Sequence, residues 1–351
     1  LATRMNTAVL QFVSSEQNGF VPGGFIAENI MLLKSLQAYV ESEDEEALFI
    51  FQDMEKAFDR VSWDYLNASL SDLGFGKGFT DYISLFYSHA KPPSRQVTIN
   101  GFLGPSFPLN SGVAQGCSLS PVLFLVITEA LTRMIMDDPR IRGIEIGGKN
   151  YKISQYADDA TYIASIFDTP FFQEHTDTWC AATGQSENAS KREGLLLGAL
   201  ARNPHNAPQG VIANDAWTPN GTAIRALGVP MGNQVNEDLW WNQKYSSVKA
   251  RIAAWKSTGS ISLTGRNLLL QAILYGSLRY WIFSLILPQF ILEFLASDSY
   301  QLLWAAQPDL KSNEGGSSAP ARASILKAAS YLPVHSGGAG IMHFPSHAHA
   351  F

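Results

Sequence analysis

Cysteine is nearly absent: only Cys117 and Cys180 occur in 351 residues. Two thiols build no disulfide framework, and without a CxxC pair there is no zinc-ligand spacing, so a reducing intracellular compartment is expected. Charge is also sparse, at 16% of residues against 46% hydrophobic, which excludes a disordered tail and fits a globular enzyme. A basic excess is missing: the formal net charge is −6. That weighs against nucleic-acid binding, for which basic domains are usual, although local charge decides more than the total. No long uninterrupted apolar run exists. The stretch 282–295 is broken by Pro288 and Glu293 and is too short for a bilayer, so no membrane partner is expected. The opening LATRMNTAVLQF has neither an initiator Met nor a signal-peptide layout, and the chain stops at Phe351, so it reads as a piece of something longer. Its length suffices for two or three domain-sized units.

What is present is a succession of short periodic segments. Residues 25–40 carry apolar positions at helical spacing, and the acidic run from Glu41 to Glu46 reads as a solvated turn. ALFIFQDM reads as a short buried strand that delivers Asp53. Helices are expected over 63–73 and 78–90, then a hairpin from QVTING to Leu109 turning at Asn100-Gly101. Ser120 as cap and Pro121 at the first position start a helix through LFLVITEALTRMIM. IRGIEI, the turn GGKN and YKISQY form a second hairpin, after which Ala157-Asp158-Asp159-Ala160 makes a tight strand–turn–strand. A helix around 170–183, strands near 193–199 and 223–229, and long amphipathic helices over 239–305 complete the order. KSNEGGSSA at 311–319 is a loop or linker. No internal repeat is visible.

A strand-end aspartate alone means little, and an Asp-Asp pair in a turn occurs for local hydrogen-bonding reasons. Together Asp53, Asp158 and Asp159 suit phosphoryl transfer, which uses two divalent ions roughly 4 Å apart. Mg²⁺ is hard and takes oxygen ligands, and clustered carboxylates repel one another until cations neutralise them.

FQDMEKAFDRVSWDYL, GVAQGCSLSP and QYADDA, in this order, resemble the successive palm motifs of reverse transcriptases, and most closely those of non-LTR (LINE-type) retrotransposons. EQNGFVPGGFIAENI resembles their finger segment, and GQSENASKREGLLLG and IRALGVPMG the next two palm motifs. The segment from Trp255 to Pro288 resembles the region after the palm, and LPVHSGGAGIMHF what commonly follows it. The resemblance covers nearly the whole chain. It implies an α+β, right-hand polymerase fold: partial fingers and a palm with an antiparallel sheet over 1–235, a helical thumb over 236–310, and a linker with the start of a C-terminal region over 311–351. It implies an RNA-directed DNA polymerase with an RNA template, a DNA primer (a nicked chromosomal end, hence nuclear action), dNTPs and two Mg²⁺ or Mn²⁺ ions.

Carried over position by position, Asp53, Asp158 and Asp159 match the metal-binding triad. Phe58 matches the steric gate against a ribose 2′-hydroxyl, where the bland reading is a core aromatic. Gln115 and Gly116 match the pair lining the nucleotide and template pocket, and Tyr156 the residue near the primer end. Lys191 matches a lysine near the leaving pyrophosphate, against a solvated surface lysine. Gly228 fits the primer-grip turn. The sequence departs from the pattern at Gly24, where the family has Arg, and at Ala114 and Ser118, where it often has Arg and Pro. These departures keep open a remnant that binds nucleic acid without turnover. A group II intron-type enzyme or an RNA-dependent RNA polymerase is the third alternative, and Phe58 speaks against ribonucleotide use. Lys244, Lys249, Arg251, Lys256, Arg266 and Arg279 make the thumb-like region basic, able to follow a phosphate backbone or merely to solvate helices. Trp255, Trp281 and Trp304 are expected in a core, and Cys117 as a packing residue. His343, His347 and His349 lack a zinc-ligand pattern.

Overall fold

The computed structural model describes residues 1–256 and 261–304. They divide into two compact units between Val235 and Asn236. In the first unit the elements are α1 (Ala2–Val9), α2 (Ile26–Ser42), β1 (Glu46–Gln52), α3 (Trp63–Asp72), α4 (Lys77–Ser84), β2 (Ser94–Arg95), β3 (Thr98–Ile99), β4 (Phe102–Leu103), β5 (Phe107–Pro108), α5 (Ser120–Asp137), β6 (Ile144–Ile146), β7 (Lys149–Tyr151), β8 (Ile153–Tyr156), β9 (Asp159–Ala164), α6 (Thr169–Thr183), β10 (Glu193–Leu197), α7 (Gly198–Arg202), β11 (Ile224–Ala226) and β12 (Val229–Met231).

The central sheet is antiparallel in the order β10-β1-β9-β8. The apolar run of β1 fits an inner strand paired on both edges, with Leu48 facing Leu196 and Ala164, and Ile50 facing Gly194 and Tyr162. Side chains alternate across such a strand. Leu48 and Ile50 join the main core with Trp63, Phe124, Phe172 and Trp179, drawn from α3, α5 and α6. Helix α2 packs against β8 and β10. Helix α5 is buried along nearly its whole length, as a helix apolar on every side must be. An antiparallel sheet with segregated helices is the expected α+β class.

Local chemistry sets several boundaries. β3 and β4 join through Asn100 and Gly101, both at positive φ (50° and 85°), the geometry that a type I′ hairpin demands. Around it Val97, Ile99, Phe102, Leu103 and Phe107 stand exposed on a narrow β-arm. Several expectations need correction. Leu119, not Ser120, caps α5; Ser120 is buried, its hydroxyl 3.5 Å from that of Tyr87. The helix expected over 78–90 ends at Ser84, and just past it Phe86 N–H turns back to Ile83 C=O at 2.9 Å in a tighter, 3₁₀-type bond. YKISQY divides: β7 pairs back on β6, whereas β8 enters the central sheet. Cys117 is exposed and packs no core, while Cys180 is half-buried, and burial pushes its thiol up to about 11.

The second unit contains α8 (Glu237–Lys256), α9 (Leu263–Leu269), a π-helical stretch (Leu270–Tyr275), α10 (Gly276–Ser284) and α11 (Gln289–Trp304). Ser262 caps α9 by accepting from Gly265 N–H at 3.2 Å. Trp241 and Trp281 meet edge to face at 5.4 Å, and the Trp241 indole donates to Ile286 C=O. Trp255, in contrast, is half exposed, against the expectation of a core residue. The cations expected to track a phosphate backbone have contacts within the unit. Lys244 lies over the Trp281 ring, Lys249 pairs with Asp298 at 3.3 Å, and Arg266 donates to Ile261 and Leu303 carbonyls. Arg251 reaches Ser277 Oγ and Arg279 lies over Phe283. The expectations for the side chains of Lys256 and Trp304, the segment 311–319, LPVHSGGAGIMHF and the three C-terminal histidines lie outside the described residues. Among the described residues no helix is long and apolar enough to cross a membrane.

Candidate active site

Strand register assembles the acidic site. Gln52 pairs with Ala160, so one step further Asp53 leaves β1 opposite Asp159, the first residue of β9. Tyr156 pairs with Asp159 across the β8–β9 hairpin, leaving Ala157 and Asp158 as a two-residue turn. Ala157 has φ 59°, while Asp158 is not among the positive-φ residues, the pattern of a type II′ turn. The segment after Asp53 is held from the far side: Asn188 N–H donates to Asp53 C=O at 2.9 Å, and Glu55 N–H to Ser186 C=O at 2.8 Å. That pairing carries the turn Ala189–Lys191 over the strand end, where Lys191 Nζ stands 3.5 Å from Asp53 Oδ2.

Asp53, Tyr156, Asp159 and Lys191 line one cavity of about 400 Å³, together with Arg225 and Leu227. Arg225 went unread in the sequence; its signal is a lone cation between buried Ile224 and Ala226 on β11. The strand expected near 223–229 divides at Leu227-Gly228, a turn with positive φ at both residues (46° and 85°), as a tight hairpin requires.

Like charge and desolvation shape the electrostatics. Burial, and then the charge of Asp53, raise the Asp158 carboxyl above its ordinary range. Asp159 is pushed up to about 6, first by desolvation, although part of its surface reaches solvent, then by Asp158 and Asp53. Such mutual repulsion is what a divalent cation relieves, and carboxylate oxygens are the donors a hard cation prefers. The donor chemistry therefore fits Mg²⁺ or Mn²⁺. Among the described residues, however, no three His, Cys, Asp or Glu side chains converge tightly enough to hold a metal ion. Asp53 and Asp159 meet in this cavity, Asp158 stands next to them on the hairpin turn, and Lys191 is the counter-charge to Asp53; they are not a closed ligand set.

Asp158, Phe58, Gln115 and Gly116 are not among the residues that line this cavity. Phe58 C=O accepts from Val113 N–H at 2.8 Å, and Val61 C=O from Gly112 N–H at 2.9 Å, which ties Phe58 to the segment preceding Gln115 and Gly116. Phe58 is half-buried, stacked on Phe124 at 4.5 Å and edge-on to Phe20 at 6.0 Å. Gln115 and Gly116 are exposed at a turn closed by Cys117 N–H to Ala114 C=O. Gly24 has no room for a longer residue: a Cβ there would sit 2.2 Å from Asn18 O.

Residues 1–231 match the reverse transcriptase (RNA-dependent DNA polymerase) family. The chain is 26% identical to a Transposon TX1 uncharacterized 149 kDa protein of Xenopus laevis, over 100% of this chain and 25% of that protein. It is 27% identical to the retrovirus-related Pol polyprotein of the type-2 retrotransposable element R2DM of Drosophila melanogaster, over 47% of this chain and 15% of that protein. The chain thus spans about a quarter or less of the length of these relatives. Among solved structures, apo telomerase from Candida tropicalis is similar at 12% identity and a TM-score of 0.46, covering 86% of this chain and 53% of that one. With the motifs and the α+β fold in place, the chain belongs to the reverse transcriptase family, with relatives in transposable elements of the non-LTR kind.

Proposed function

We propose that this chain extends a DNA primer with deoxynucleotides on an RNA template, acting on chromosomal DNA in the nucleus. The observation that carries this reading is the register of β1 on β9, which lays Asp53 opposite Asp159, next to the hairpin turn that carries Asp158, with Asp53 and Asp159 both lining one cavity. Asp53, Asp158 and Asp159 would share the divalent ions, two Mg²⁺ or Mn²⁺, which need only one or two carboxylates each when water and substrate phosphates supply the other ligands. When bound, these supply a lowered pKa at the primer hydroxyl and neutralisation of the leaving pyrophosphate. Lys191 and Arg225, at the same cavity, place positive charge toward the triphosphate and the primer backbone. Tyr156 supports the primer end, and Gln115 and Gly116 border the template and incoming base. Primer extension by the whole chain tests the reading: Mg²⁺-dependent growth of a DNA primer on RNA with dNTPs supports it, and none under any divalent ion rejects it.

Phe58 is the expected guard against ribonucleotides. Its ring is fixed by Phe124 and Phe20, and a fixed ring excludes a hydroxyl better than a mobile one. Phe58→Ala should raise NTP over dNTP incorporation by about tenfold or more. Unchanged discrimination, measured in a folded variant, would leave Phe58 as a plain core aromatic.

A second reading is favoured by Gly24. The loop carrying it is closed on Asn18 so tightly that the cation the family places there cannot be accommodated without backbone movement. A nucleic-acid-binding remnant without turnover would bind primer–template and incorporate nothing.

A further inference from the structure

Gln17 is buried, 3% exposed, and its side-chain amide grips the acidic hairpin. Ala157 N–H donates to Gln17 Oε1 at 2.8 Å, and Gln17 Nε2 donates to Ala157 C=O at 3.2 Å. Gly19 N–H donates to the same Oε1 at 2.7 Å. One planar amide thus satisfies both backbone groups of Ala157, as a neighbouring strand would. The flanking residues complete that strand: Gln155 N–H donates to Glu16 C=O at 2.8 Å, and Asn18 N–H to Gln155 C=O at 3.0 Å.

Ala157 is a residue that needs holding. It occupies the left-handed region, which a Cβ disfavours, at the turn position where type II′ hairpins ordinarily place glycine. The next two residues are Asp158 and Asp159. Gly19 lets the gripping segment come close, since a Cβ there would lie 2.1 Å from Ala157 N.

We propose that Gln17 is a positioning residue, which clamps Ala157 in its left-handed conformation and so fixes the direction in which Asp158 and Asp159 leave the hairpin. The inference rests on the reading of those two aspartates as cation-holding groups. Gln17 acts only through Ala157. Such a clamp needs a donor and an acceptor on one side chain. Methionine fills similar volume but offers neither, and glutamate keeps the acceptor and loses the donor.

The test uses the whole chain carrying Gln17→Met, alone and with Ala157→Gly, which lets residue 157 take positive φ without a clamp. In Q17M, hydrogen exchange over 153–160 should accelerate about tenfold while cooperative unfolding persists. Mn²⁺ affinity, followed by electron paramagnetic resonance, should fall about 10–100-fold, as when a group behind a metal ligand is lost. Primer extension should fall about 10–100-fold with primer–template affinity unchanged. The added A157G should restore most of each. Unchanged exchange and Mn²⁺ affinity in folded Q17M, or a loss that A157G does not restore, overturns the proposal. Should Q17M fail to fold, Gln17→Glu is read instead, with the same pattern at smaller amplitude expected and an unchanged pattern overturning it. Faster exchange in Q17M together with an inert wild type would keep the clamp and remove the polymerase reading.

Discussion

Asp158→Asn is expected to lose primer extension by about three orders of magnitude while melting at a higher temperature than the wild type. The first effect follows from the cations: they are worth several kcal/mol of transition-state charge stabilisation, and each ~1.4 kcal/mol is tenfold in rate. The second follows from the raised carboxyls. Asp158 is pushed up by desolvation and by Asp53, and Asp159 to about 6 by desolvation and its two neighbours. An unfolded aspartate titrates near ~4. From there up to about 6 the folded chain binds more protons at Asp159 than the unfolded one, so stability falls as pH rises through this window. Above it the repulsion is fully present, and asparagine removes one of its sources. The melting gain should be a few degrees at neutral pH, since ~1 kcal/mol moves a unit of this size by roughly 2–4 °C, and it should vanish in acid. Added Mg²⁺ should raise the melting temperature of the wild type and leave D158N unmoved. Primer extension and thermal unfolding at pH 4 and pH 7.5, with and without Mg²⁺, check all three. A D158N protein that extends primers normally would remove Asp158 from the site.

Trp63→Ala should have the largest effect on folding. Trp63 is 1% exposed in the main core, beside Tyr87 at 6.0 Å and His89 at 5.0 Å. Its indole N–H donates to Gly112 C=O at 2.8 Å, and this bond joins the start of α3 to the segment that leads to Gln115. Truncation leaves a cavity and a buried carbonyl without its donor, a loss of about 3–5 kcal/mol. That is a third or more of the stability of many domains. Trp63→Phe keeps most of the ring volume and loses the hydrogen bond, so it should cost about 1–2 kcal/mol. Urea unfolding of both variants measures the difference. A W63A protein as stable as the wild type would mean that α3 does not anchor this part of the core.

The sequence shows some of this architecture and hides the rest for physical reasons. The apolar run to Asp53, the Asn100-Gly101 turn and the Asp158-Asp159 hairpin are legible because strand burial and turn chemistry are local. Lys191 is readable only through family resemblance, since its place over Asp53 depends on backbone pairing between 53–55 and 186–188. Ser120 has the composition of a cap, yet tertiary packing draws it under Tyr87, so propensity lost to burial there. Gln17 leaves no pattern at all. Its partner lies 140 positions away, and a side-chain amide bonded to another residue's backbone imposes no periodicity.

The sheet order has a consequence for how the site comes apart. Asp53 is rooted in the strand with partners on both edges, so the floor beneath it opens only when the whole sheet does. Lys191 rides on a short exposed turn, which can fray by itself. On warming, the cleft should therefore shed its positive rim while its acidic floor is still standing.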